Sequence, residues 1–244
     1  MKRNTYTIEI ATADFSTTKS AVEGGADRIE LCANLDQGGT TPSYGTLLQC
    51  RENFDVALFA IIRPRSGDFY YTDDEFAIMR HEVKLCKELG CDGVVIGLLN
   101  RDGSIDLKRT ARLIEMAYPM EVTFHRAFDR SDDPFKALEQ LIEVGCQRLL
   151  TSGQQPTAPE GAALIGQLVE KAADRIIIMP GSGVRKENIK DLALRTGTVE
   201  FHSSLRARIR GRMDYVHPSF TKEDYTIPYI DPAEVQSLRA ALLA

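Results

Sequence analysis

The sequence predicts an α/β fold, a single-domain (β/α)8 TIM barrel, and three observations lead there. Short apolar runs recur along the 244 residues, and almost every one ends in a charged or hydrogen-bonding residue. A glycine-led pattern returns four times. Helical stretches fill the intervals between the apolar runs, and no Ser/Gly-rich linker divides the chain.

The first strand, 6–10, carries Glu9, and the second, 28–31, carries Glu30. The third, 57–62, runs into Arg63, and the fourth leads to Ile96-Gly97-Leu98-Leu99, which supplies shape rather than chemistry. The fifth, 121–124, delivers His125, and the sixth, 148–150, delivers Thr151. The seventh, 176–179, ends in Pro180-Gly181, and the eighth, 199–201, ends in His202. Alternation puts Thr123 and His125 on one face, which is the barrel interior if His125 is to reach the mouth.

The repeat reads Gly25-Ala26-Asp27-Arg28, Gly90-Cys91-Asp92-Gly93, Gly145-Cys146-Gln147-Arg148 and, more loosely, Gly197-Thr198-Val199-Glu200. Each glycine is placed to end a helix in the left-handed conformation, with a strand following at once. Helices are expected over 14–23, 43–53, 73–89, 107–117, 134–144, 159–173, 186–195 and 232–243. Ser43, Asp73, Asp106, Asp133 and Asp231 are the candidate N-caps. The barrel occupies about 6–204 of the single domain 1–244, and 205–244 forms a C-terminal loop and helix. An open doubly wound sheet is the alternative, but Gly181-Ser182-Gly183-Val184-Arg185-Lys186 lacks the third glycine of a dinucleotide fingerprint.

A net charge of −5 argues against a general nucleic-acid binder, which needs surplus basic charge to displace phosphate counterions. No apolar run approaches the roughly 20 residues of a membrane helix, and residues 1–5 do not lead into a signal-peptide apolar region. Five cysteines without a C-x-x-C pair read as reduced thiols of a cytoplasmic protein.

Loops after the strands carry the site in this fold. Arg63-Pro64-Arg65 makes a stiff cationic fork for carboxylate or phosphate, with ion pairing inside the mouth as its other use. Two histidines at the ends of different strands, His125 and His202, point to function, whereas His81 and His217 fall on a helix and in the C-terminal loop. Thr151 and Ser152 form a polar rim after strand six. Gly181, Ser182 and Gly183 after strand seven, with Ser203 and Ser204 after strand eight, form the usual phosphate cradle, completed by a helix opening near Lys186. Lys84, Lys87, Lys136, Lys171 and Lys190 fall on helices and no strand carries a lysine, which argues against a Schiff-base mechanism. The mouth suits an enzyme or a binding protein; for an enzyme, Glu9, Glu30 and His125 are the acid–base candidates, with Arg63, Arg126 and His202 beside them. The expected partner is a small anionic, phosphorylated or carboxylated metabolite. A divalent cation held by Glu9, Glu30, His125 and His202 is the competing reading. The basic run Arg206, Arg208, Arg210, Arg212 is read as a solvated loop.

Several of these segments together resemble the CutC family, named for copper homeostasis. They are Gly25-Ala26-Asp27-Arg28-Ile29-Glu30-Leu31-Cys32, Gly38-Gly39-Thr40-Thr41-Pro42-Ser43, Arg63-Pro64-Arg65, Thr123-Phe124-His125-Arg126-Ala127-Phe128-Asp129, Thr151-Ser152-Gly153-Gln154, Gly181-Ser182-Gly183-Val184 and Glu200-Phe201-His202-Ser203-Ser204. The resemblance implies a cytoplasmic barrel, a homodimer and a copper-binding role, with Cys32 as the matching metal residue. Copper proposals for the family's animal members add a cysteine just beyond the strand-one glutamate. Here Glu9 is followed by Ile10-Ala11-Thr12, so one thiol stands where Cu(I) would want two.

Overall fold

A computed structural model of the chain describes residues 6–221 and 225–244. Residues 1–5, read above for a signal peptide, lie outside them. Eight parallel strands run β1 (Thr7–Thr12), β2 (Arg28–Leu31), β3 (Ala57–Ile61), β4 (Gly93–Ile96), β5 (Glu121–Phe124), β6 (Arg148–Thr151), β7 (Ile177–Pro180) and β8 (Glu200–Ser203). They bond in the order β7-β6-β5-β4-β3-β2-β1-β8, and β7 packs beside β8, so the sheet curls into a barrel. Around it lie α1 (Phe15–Glu23), α2 (Tyr44–Asn53), α3 (Asp73–Glu88), α4 (Leu107–Ala117), α5 (Pro134–Glu143), α6 (Ala162–Ala172), α7 (Ile189–Thr196) and α8 (Pro232–Leu243). The expected (β/α)8 class is the observed one, and the open sheet is excluded.

The glycine repeat has a structural cause. Gly25, Gly90, Gly145 and Gly197 all take positive φ, which lets each helix end and turn at once into a strand. The third residue of the pattern then reaches the start of the preceding strand. Asp27 Oδ2 accepts from the Ile8 N–H at 2.7 Å, Asp92 Oδ2 from Leu58 at 2.8 Å, and Gln147 Oε1 from Val122 at 2.7 Å. Each backbone N–H of these three residues returns a bond to the same strand residue's carbonyl. The repeat is thus a strand-pairing clamp at the bottom of the barrel.

Ser43, Asp106, Asp133 and Asp231 cap their helices as expected, each accepting from a backbone N–H of the first turn. Asp73 does not. Thr72 is the cap of α3 and forms a capping box with Glu75, leaving Asp73 inside the first turn. Two helices start later than expected, α6 at Ala162 and α7 at Ile189. Residues 186–188 form a turn instead, because Asn188 Oδ1 accepts from the Arg185 N–H at 2.9 Å. The expected C-terminal loop is also partly ordered. Strands β9 (Ala207–Arg210) and β10 (Thr226–Tyr229) pair antiparallel, Ala207 opposite Tyr229, in a hairpin that stands off the barrel.

Most of the apolar core lies between barrel and helices, where Ile8, Ile10, Leu31, Ile96 and Phe124 are almost fully buried. Inside the barrel the apolar patch is small: Cys32, Phe59, Ile61 and Val95. Beside Met179, Leu150 and Thr123, much of the remaining interior is charged, unlike the branched apolar layers usual in this fold. Among the described residues no helix is long and apolar enough to cross a membrane.

Candidate functional site

The charged interior divides into a floor and a mouth. At the floor, Arg28 donates Nε to Glu9 and Nη2 to Glu200 at 2.7 Å. Arg148 donates Nε to the same Glu200 oxygen at 2.6 Å and pairs with Glu121 at 3.1 Å. Both guanidinium groups stack on Phe59, at 5.1 and 5.5 Å from its ring centre. Gly93 makes this possible, since a Cβ there would collide with the Phe59 ring. At the floor every one of these buried charges therefore meets an opposite one, the condition for keeping ions out of water.

Glu9 links floor to mouth. Burial pushes its carboxyl up, but Arg28 and His202 outweigh that and hold it down to about 2. Its Oε1 meets His202 Nδ1 at 2.7 Å, and His202 Nε2 lies 3.7 Å from Glu30. Burial pulls the His202 pKa down, yet Glu9 and Glu30 together leave it raised. For Glu30 burial dominates, neighbouring Glu9 adds to it, and the carboxyl is pushed up to about 7. A carboxyl that exchanges its proton near neutrality is suited to general acid–base work.

The mouth is a cavity of about 220 Å³, and its wall includes Glu30, Arg63, His125, Arg126, Arg185 and His202. His125 accepts from the Ala127 N–H through Nδ1 at 3.0 Å, which assigns the ring proton to Nε2. That Nε2 is buried and has no partner among the described residues. Burial, and after it the charge of Arg63, pull the His125 pKa down to about 3, so the ring is a neutral hydrogen-bond donor. Gly97 gives the ring its room, since a Cβ there would overlap it, and Phe69 packs on it with ring centres 5.0 Å apart.

Arg63 is 4% exposed and meets no carboxylate among the described residues. Its Nη1 donates to the carbonyls of Gln37 at 2.9 Å and Gly39 at 2.7 Å, and its Nη2 to Gly67 at 2.9 Å. It thus pins both glycine loops against the mouth. Arg65, expected beside it as an anion binder, points elsewhere and pairs with Asp68 at 3.0 Å and Glu75 at 2.5 Å. Thr151 and Ser152 hold an internal anion. Asp129 accepts from Thr151 Oγ1 at 2.5 Å and from the Ser152 hydroxyl at 2.8 Å, and it orients Arg126 at 2.7 Å.

Ser182, Gly183, Ser203 and Ser204 line the mouth, and Gly181 sits where a Cβ would collide with Leu150. Ser203 Oγ donates to the Val184 carbonyl at 2.9 Å and accepts from Arg185 at 3.2 Å. The loop after β7 is thus backed by an arginine, not by the helix end expected near Lys186. Asp129 and Arg185 are the residues that sequence reasoning missed. Arg185 was visible as a basic residue two positions beyond the glycine loop.

Cys32 is 1% exposed, among Phe59, Ile61 and Val95. Burial, then Glu30, push its thiol well above the ordinary range, so it stays protonated. Copper(I) needs thiolate or several soft donors. Among the described residues, no group of three or more His, Cys, Asp or Glu side chains is arranged to hold a metal. The donor set at Cys32 does not fit copper.

A protein-family model described as the CutC family matches residues 6–207, the whole barrel up to the start of the hairpin. A CutC family protein of Chromobacterium violaceum is 48% identical over 240 residues, covering 96% of this chain and 97% of its own. One from Parabacteroides distasonis is 51% identical over 209 residues, covering 85% of this chain and 86% of its own. A crystal structure of CutC from Streptococcus agalactiae, named for copper homeostasis, superposes with a TM-score of 0.78 at 32% identity. It covers 82% of this chain and 98% of that one.

Proposed function

This chain belongs to the CutC family, and from that premise we propose that it is an acid–base enzyme for a small anionic metabolite bound at the barrel mouth. One observation carries the proposal. A carboxyl poised near neutrality, an unpartnered neutral histidine N–H and an arginine without a carboxylate partner share a single small cavity. Arg63 and Arg185 attract the anion, with Ser203, Ser204 and the loop at 181–183 around it. Glu30 takes or gives the proton, and His125 Nε2 donates to the oxygen on which negative charge develops. His202 and Glu9 position Glu30 from below. At about 220 Å³ the cavity falls under the roughly 300–1,000 Å³ usual for ligand pockets, so the reacting part of the ligand is small. Five free, buried cysteines support a reducing, cytoplasmic setting.

The family's name suggests copper instead, and the two readings separate cleanly. Thermal-shift screening against phosphorylated and carboxylated metabolites is expected to find compounds that stabilise the wild-type chain and fail to stabilise His125→Gln and Glu30→Gln. The absence of any stabilising anion would overturn the proposal. Cu(I) titration is expected to give the same stoichiometry and affinity for wild type and Cys32→Ser. Loss of a tight site in that variant would restore the copper reading.

A further inference from the structure

A second, larger cavity of about 770 Å³ opens beside the mouth, and Leu35, Arg185 and Arg206 line both. Its far wall is the β9–β10 hairpin, which brings Arg208 and Tyr229 to face the turn at Asn34 and Asp36. Alternation along β9 puts Arg206, Arg208 and Arg210 on one side of the ribbon, and the first two reach the cavity. The basic run read as solvated is indeed exposed, but its first two arginines also flank an open cavity.

The charges of this chamber do not balance. Among the described residues Asp36 is the single carboxylate in its wall, and it pairs with both Arg206 at 3.5 Å and Arg208 at 3.2 Å. Arg185, at the junction of the two cavities, meets neutral acceptors, the Val184 carbonyl at 3.0 Å and Ser203 Oγ at 3.2 Å. Among the described residues no carboxylate pairs with it. Three guanidinium groups around one exposed carboxylate leave a surplus of positive charge for another anion, which competes with Asp36 for two of them. Leu35, Arg185 and Arg206 line both cavities, so the two adjoin, and a ligand that reaches past these side chains would touch both.

We infer that the ligand carries two anionic groups, the reacting one in the mouth and a distal phosphate in this outer chamber against Arg206 and Arg208. This rests on the function proposed above and narrows its substrate class to doubly anionic organic phosphates. The test is calorimetric titration of the full chain, at fixed ionic strength, with inorganic phosphate, pyrophosphate and tripolyphosphate as probes. Wild type is expected to bind at least one polyphosphate tenfold or more tighter than phosphate. Arg208→Ala, on an exposed strand of the hairpin, should abolish that gain and leave phosphate unchanged. Asp36→Ala should tighten polyphosphate several-fold by releasing its two arginines.

A polyphosphate gain that survives Arg208→Ala, or no gain in wild type, overturns the two-group ligand. If phosphate still binds then and is lost with Arg63→Gln, the mouth proposal stands alone. If none of the three probes binds, the two-group phosphate ligand falls, and the mouth proposal falls with it when the metabolite screen also finds no stabilising anion.

Discussion

The floor and the mouth of this barrel use the same residue types to opposite ends. At the floor, Arg28 and Arg148 are matched by Glu9, Glu200 and Glu121, and each hydrogen-bonds its partners directly. At the mouth, among the described residues, Arg63 and Arg185 have only neutral acceptors and His125 keeps an unused N–H, while burial holds Glu30 near neutrality. A closed network has no capacity left for a ligand, so its worth is structural. An open one leaves donors and charge unsatisfied, which a folded protein sustains where something else will bind. The difference separates scaffold from site without reference to any reaction.

The largest test of that contrast is Arg28→Met. It leaves Glu9 and Glu200 short of their shared partner inside the barrel, and breaking one side of a buried ion pair costs about 3–5 kcal/mol. Urea unfolding at neutral pH reads the loss directly. A change under about 1 kcal/mol would mean that the floor is not the structural network described here.

Next comes the pH dependence of stability through Glu30. Its carboxyl is raised in the folded chain, so the folded state holds a proton that the unfolded state releases first. That stability is present below the ordinary carboxylate range and is lost as pH rises toward about 7. The span corresponds to roughly 2–3 kcal/mol. Unfolding of Glu30→Gln measured at pH 5 and pH 8 is expected to show that much less decline than wild type. Equal declines would show that Glu30 is an ordinary carboxylate and would remove the acid–base half of the mouth.

Gly97→Ala has a smaller effect and probes how the mouth is shaped. The new methyl would overlap the His125 ring and press on Ala127. Forcing extra volume into a packed site costs about 1–3 kcal/mol. The histidine must also rotate or shift, so a metabolite that stabilises wild type should lose most of its effect. Full retention of ligand stabilisation would indicate that His125 Nε2 is not part of the site.

The two regions were unequally readable in the sequence. The barrel was legible because helix-ending glycines and polar-tipped strands are local signals, repeated around the fold. The mouth was half legible. Glu30, Arg63, His125 and His202 stood at strand ends, where side-chain position follows from strand direction alone. What each does there depends on partners far along the chain. Glu9 resembles Glu30 by position, yet Arg28 and His202 make one a firm carboxylate and burial makes the other a neutral-range acid. Thr151 and Ser152 look like anion ligands, and Asp129, more than 20 residues away, takes both. The basic run at 206–212 gave no hint of a hairpin, because the pairing of Ala207 with Tyr229 is set by a connection with no periodic pattern.

Arg185→Gln should have the smallest effect on stability, and it sharpens the comparison most. The side chain is half-buried and bonded only to a carbonyl and a hydroxyl, contacts that glutamine can partly keep. Unfolding free energy should move by no more than about 0.5 kcal/mol. Binding should respond far more, because a charge-assisted hydrogen bond contributes about 1.5–3 kcal/mol, a tenfold to hundredfold change in affinity. Arg28→Met should put most of its effect into folding, and Arg185→Gln should put nearly all of its effect into phosphate affinity. Were the glutamine variant to bind phosphate as wild type does while unfolding readily, the arginine would belong with the floor. An unpaired charge at the mouth would then be no guide to where the ligand sits.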